Sequence, residues 1–161
     1  MTIRPTSWKL LVALAALAAA LGWATAHLVD AFADRSISVP ITMPVVMALL
    51  ALATALWARG TRARLAGRPG TRPMEPLVAA RSAALGLAAS RAGALVAGFY
   101  AGVLVELVPR FDVPGVRERG IIAIATVVMA VLLALAGLWL ERVCRLPEDR
   151  TPDEDDDDLS V

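Results

Sequence analysis

The sequence predicts an all-α protein: a bundle of four transmembrane helices, with both termini in the cytoplasm and a disordered acidic tail. Three observations lead there. The chain of 161 residues is 58% hydrophobic, with a mean hydropathy of +0.65. Its charges, 19% of residues, are segregated into short connectors between long charge-free apolar runs, which is the pattern of a chain whose solvent is lipid. Trp8, Trp23, Trp57 and Trp139 all fall near the ends of those runs, where an indole can sit among headgroups.

The first run, Leu10 to Val29, contains no Asp, Glu, Lys or Arg and follows Arg4 and Lys9. About 20 apolar residues cross a hydrocarbon core of roughly 30 Å, and this run has that length. A basic start, an apolar stretch and Ala24-Thr25-Ala26 also describe a signal peptide cleaved before His27, so retention and cleavage both stand as readings of this segment. Asp30 to Val39 forms a short polar connector. The second run, about 41–58, opens with Pro40 and Pro44, which a first helical turn tolerates because its N–H groups lack intrahelical acceptors.

A basic loop over 59–75 follows, with Arg59, Arg62, Arg64, Arg68 and Arg72 and a Pro69-Gly70 turn. These arginines are expected to face the cytoplasm and contact anionic lipid headgroups. Glu75-Pro76 then suits a helix start, with Pro at the first helical position and a carboxylate at the positive end of the dipole. The third run, about 77–107, is the unusual one, because it carries Arg81, Arg91 and Glu106. Its charge-free part, Ala92 to Val105, amounts to about 21 Å of helix and is too short to span. Placing the core over about 86–105 brings in only Arg91, about 7–8 Å inside the boundary, from where its long side chain can snorkel outward.

Arg91 therefore has two readings: a snorkelling interfacial arginine, or a charge inside the bundle paired with Glu141 at the inner end of the fourth helix. Glu106 likewise reads either as a solvated helix-end carboxylate or as a proton- or cation-handling group, with His27, Asp30 and Thr42 as its neighbours by depth. Small residues recur every four positions along this helix at Gly86, Ser90, Ala94, Gly98 and Gly102, the last two forming a GxxxG. Such residues let helix backbones approach closely in lipid. The first helix offers Ala15, Ala18, Ala19, Gly22 and Ala26 as the matching face, so the two are expected to dock; a homo-oligomer face is the alternative use of the same row.

The connector from Pro109 to Gly120 leads to the fourth run, 121–140, again charge-free. Beyond Leu146-Pro147, residues 147–161 contain Asp153-Glu154-Asp155-Asp156-Asp157-Asp158, a run that repels itself and buries nothing. Orientation follows from the cations. With the N-terminus inside, Arg4, Lys9, the five loop arginines, Arg142, Arg145 and Arg150 are cytoplasmic, against Arg35, Arg110, Arg117 and Arg119 outside.

No catalytic constellation is present: the chain lacks GxxxxGK[ST], GxGxxG after a strand, and HExxH. One histidine and one cysteine, Cys144, make no metal site of the usual His/Cys kind, and no cofactor is expected. The basic loop has no interleaved aromatics, which disfavours nucleic acid. The expectation is a non-enzymatic cell-membrane protein acting by helix association, as an accessory or scaffold subunit with a homo-oligomer or membrane-protein partner. The alternative is a small oligomeric transporter or channel subunit using Arg91 and Glu106.

The stretch Arg68-Pro-Gly-Thr-Arg-Pro-Met-Glu-Pro-Leu-Val-Ala-Ala-Arg81, with Gly98-Phe-Tyr-Ala-Gly102 and Leu138-Trp-Leu-Glu141, resembles a family of small four-span membrane proteins of actinobacteria known as domain of unknown function 3180. The similarity covers most of the chain except the acidic tail. Members often carry a lysine in the turns after the position of Arg81; here Leu87 stands in that region and Arg91 supplies a charge one turn later. The resemblance implies a plasma-membrane protein, often encoded near folate-synthesis enzymes, and it implies no catalytic residue.

Overall fold

A computed structural model describes residues 8–33, 40–65 and 76–144. The described residues form four long helices: α1 (Trp8–Ala33), α2 (Thr42–Leu65), α3 (Pro76–Leu107) and α4 (Pro114–Cys144), with a 3-10 turn over Val108–Arg110. All four are long and apolar enough to cross a membrane, and no strand occurs among the described residues. The protein is thus an all-α, multi-pass membrane protein. The acidic tail and the loop arginines Arg68 and Arg72 lie outside the described residues.

Helix extends beyond the apolar runs at several ends: α1 continues through Asp30, expected in the connector, to Ala33, α4 continues past Leu140 to Cys144, and two further ends take in charged residues expected in loops. α2 continues to Leu65, so Arg59, Arg62 and Arg64 ride on helix instead of loop. α4 starts at Pro114, so Arg117, Glu118 and Arg119 are helical as well. The reason is the same in both places. Charge ends a hydrophobic run but does not end a helix, since arginine and glutamate are good helix formers. Proline does set the boundaries. α3 begins at Pro76 and α4 at Pro114, where a missing N–H costs nothing, and Pro109 lies in the tight turn between them. The turn closes through Phe111 N–H to the Val108 carbonyl (3.4 Å) and Val113 N–H to the Arg110 carbonyl (3.1 Å). The Phe111 ring packs against Gly120, where any Cβ would collide with it.

The helices do not pack in chain order. α1 packs on α3, α3 on α4 and α4 on α2, whereas α1 and α2 share no packed face. Small residues predominate in each seam. Six of the eight buried positions on α4, Ala123, Thr126, Ala130, Leu133, Gly137 and Leu140, alternate by three and four, which is the spacing of a heptad seam. The α3 side of this seam is Gly86, Ser90 and Gly93. A Cβ on Gly93 would come within 2.6 Å of the Ala130 carbonyl, and one on Gly86 within 2.9 Å of the Gly137 carbonyl. The buried stripe of α2 is Ala51, Thr54, Ala58 and Thr61, again at three- and four-residue steps.

Hydroxyls buried in these seams need acceptors, because an unpaired polar group in an apolar interior is costly. Four of the five take carbonyls of their own helix: Thr54 donates to Leu50 (2.8 Å), Ser82 to Val78 (2.8 Å), Ser90 to Leu87 (3.0 Å) and Thr126 to Ile122 (2.8 Å). Trp57 Nε1–H adds a bond to Ser82 Oγ at 3.2 Å, which ties α2 to the start of α3. The interior is closed: Ala58, Ser90, Ala123, Thr126, Ala130 and Leu140 have no accessible surface.

Candidate functional site: the two charged ends of the third helix

α3 carries the residues that the sequence singles out, and they divide between its faces. The row Gly86, Ser90, Ala94, Gly98, Gly102 looks continuous in sequence, yet each four-residue step advances about 40° around a helix of 3.6 residues per turn. Gly86 and Gly102 therefore point about 160° apart. The inner half of the row, Gly86 and Ser90, meets Gly137 and its neighbours on α4. The outer half, Gly98 and Gly102, meets the backbone of Ala15 and Ala19 on α1. Gly22 of α1 returns the contact, against the Phe99 carbonyl. Ala94 is buried between these two halves. One row thus serves two neighbours, not a single docking face.

The register of α1 on α3 is parallel. Ala15 lies at Gly98, Ala19 at Gly102, His27 at Glu106 and Asp30 at Arg110. The last two pairs form a polar layer where α3 turns into α4, the turn end of the bundle. His27 Nδ1 is 3.4 Å from Glu106 Oε1, and the His27 ring stacks on Trp23 with centroids 5.6 Å apart. Arg110 grips Asp30 with both terminal nitrogens, at 2.7 Å and 2.9 Å. Such a planar fork is stronger and more directional than a single contact. Glu106 and Asp30 therefore take separate cationic or donor partners, and the geometry does not make them a carboxylate dyad.

Ala26, Asp30, Val103, Glu106, Leu107, Arg110, Val116 and Arg119 line a cleft of about 50 Å³ here. That volume admits a few waters, while organic ligands occupy pockets of roughly 300 Å³ or more. Among the described residues, no three His, Cys, Asp or Glu side chains gather in a way that could hold a metal ion.

The opposite, basal end is basic. Lys9, Arg59, Arg62, Arg81 and Arg142 are all exposed there. Glu141 is buried at 7% exposure, with its backbone N against Gly86. The pairing of Arg91 with Glu141 is not formed. Arg91 is exposed, and it stands five residues beyond Gly86, about 140° around the helix from the position that abuts Glu141.

Two features of this arrangement escaped the sequence reading. Gly93 and Gly137, where an added Cβ would collide with the backbone of the facing helix, were legible only as small residues in the heptad spacing of both helices. The Asp30–Arg110 fork joins residues 80 apart in sequence, which no local pattern announces.

No curated protein and no solved structure matches the chain. A scan against protein families matches residues 11–148 to the family described as "Protein of unknown function (DUF3180)". That match spans all four helices and both charged ends of α3, so the chain belongs to the DUF3180 family.

Proposed function

We propose that this protein resides in the cell membrane with both termini cytoplasmic and works by association, as a non-enzymatic accessory or scaffold subunit. The observation that carries the proposal is the open arrangement of the helices. α1 and α2 occupy the two flanks, each packed mainly on one neighbour, with α2 also bonded to α3 through Trp57 and Ser82, and they present large apolar side chains outward: Leu17, Leu21 and Leu28 on α1, and Val45, Leu49, Leu52 and Leu56 on α2. The α2 positions repeat at four- and three-residue steps, a spacing that a partner helix can read. The closed, small-residue interior is in keeping with a structural role. The basic end, with Lys9, Arg59, Arg62, Arg81 and Arg142, faces the cytoplasm in this reading, toward anionic headgroups.

Transport through Arg91 and Glu106 has less support. The two are 15 residues apart, about 22 Å along α3, and Glu106 is engaged by His27. Affinity capture from native membranes, with mass determination in mild detergent, separates the readings. A reproducible protein partner or a stable dimer is expected. A strict monomer that brings down a small molecule and no protein would replace association with transport.

A further inference from the structure

The parallel register of α1 on α3 has a consequence at the basal end. Ala15 sits on Gly98, and one heptad earlier on each helix the same faces carry Trp8 and Arg91. Seven residues rotate a helix by only about 20° short of full turns, so Trp8 and Arg91 stand at the level and on the faces where a small-residue contact would continue. Two of the bulkiest side chains replace two of the smallest. Close packing stops there, and both residues are exposed, Trp8 at 67%. Lys9 is exposed beside Trp8. Further toward the basal end, Ala88 and Ala84 continue the α1-facing stripe of α3 and are exposed as well. α3 therefore carries a small-residue face that begins at Gly102 under α1 and emerges at Arg91 into the open.

We infer that this notch, formed by Trp8 and Lys9 on α1 and Arg91 on α3, is a seat for the phosphate headgroup of an anionic phospholipid. Two cations on separate helices share one level, and among the described residues neither makes an ion pair. From Lys9 to Asp30, α1 rises about 32 Å, close to the thickness of a hydrocarbon core, so the notch lies at headgroup depth when the Asp30–Arg110 fork lies at the other surface. Arg91 reaches phosphate oxygens with a planar guanidinium, and Lys9 adds a second positive charge. The Trp8 ring occupies the interfacial zone that indoles favour. Acyl chains then run toward the turn end over Val12 and Leu95, both exposed. A bound phosphate would give this arginine, which stands in the middle of an apolar helix with no ion-pair partner among the described residues, its counter-charge. The inference goes beyond association, since a monomer without a protein partner would hold the same lipid.

The test is lipid retention by the full chain, measured by native mass spectrometry after reconstitution in equimolar phosphatidylglycerol and phosphatidylcholine. The wild type is expected to retain one phosphatidylglycerol in preference to phosphatidylcholine by about fivefold or more. Arg91→Gln with Lys9→Gln should abolish that preference, and Arg59→Gln with Arg62→Gln should leave it intact. Equal retention of both lipids, or unchanged preference in the Arg91/Lys9 variant, would overturn the inference. A photoreactive benzoylphenylalanine at position 88 supplies a second readout that needs no loss of charge. An adduct to phospholipid supports the seat, and an adduct to the acidic tail peptide assigns the notch to the tail and overturns it.

Discussion

A Cβ on Gly98 would overlap the carbonyl oxygen of Ala15. α1 and α3 therefore touch backbone to backbone, and the contact depends on the absence of a side chain. In lipid, where apolar side chains gain nothing by leaving solvent, such close approach is a main source of helix affinity. Gly98→Leu or Gly102→Leu is expected to destabilise the protein by about 1–3 kcal/mol, the usual range for overpacking. Gly60→Leu, at a glycine with nothing within 4 Å, should be neutral. Unfolding of the purified protein in mild detergent, followed by thermal shift, reads the difference; equal shifts for Gly98→Leu and Gly60→Leu would contradict the packing.

The order α1–α3–α4–α2 can be checked by bridging. In a Cys144→Ser background, His27→Cys with Glu106→Cys is expected to be joined by a short bifunctional thiol reagent, because the native side chains meet at 3.4 Å. Ala16→Cys with Leu52→Cys, on the two flanks, should stay unbridged in monomeric protein. Bridging of the second pair within one chain would mean that α1 and α2 adjoin, and the arrangement would be wrong.

How much of this was legible follows from what each kind of residue reports. The four helices were legible because a charge-free run of about 20 residues has few other uses. The docking of Gly98 and Gly102 on the small face of α1 was within reach for the same kind of reason, since small residues at four-residue spacing permit contact. The partition of that row was not, because four-residue spacing looks straight in sequence and winds in space. Gly86 consequently meets α4 instead of α1. Helix ends at Leu65 and Pro114 escaped hydropathy, which measures the lipid-crossing part and is blind to helix that continues into water. What stands across from Arg91 escaped for a further reason. It is set by the register of α3 against α1, and register is a property of two segments at once.

The Asp30–Arg110 fork is exposed, with about half of the Arg110 side chain accessible, so its geometry exceeds its expected worth. A double-mutant cycle through Asp30→Asn and Arg110→Gln should give a coupling of about 0.5–1 kcal/mol, falling as salt is raised. The charge-reversed double variant, Asp30→Arg with Arg110→Asp, should recover most of it. Coupling above about 3 kcal/mol would place the pair in a desolvated setting instead, as in buried ion pairs.

Orientation is open to a direct measurement at two glycines that have free space around them, Gly60 and Gly115. With Cys144→Ser, Gly60→Cys is expected to react with a membrane-impermeant maleimide only after the cells are opened, and Gly115→Cys in intact cells. The reverse pattern would put the basic end outside and would invert the proposed topology.

The packing order also bears on how the chain is made. Helices enter the membrane in the order in which they are synthesised, yet α1 and α2 are not partners. Each must remain in lipid alone until a later helix arrives: α1 waits for Gly98 and Gly102 of α3, and α2 waits for the small-residue seam of α4. The first half of the chain therefore has no hairpin to form. Packing of these four helices is completed only by α4, so a product truncated before Pro114 would leave α2 and one face of α3 without their main partner in the bilayer, open to other membrane helices or to quality-control proteases.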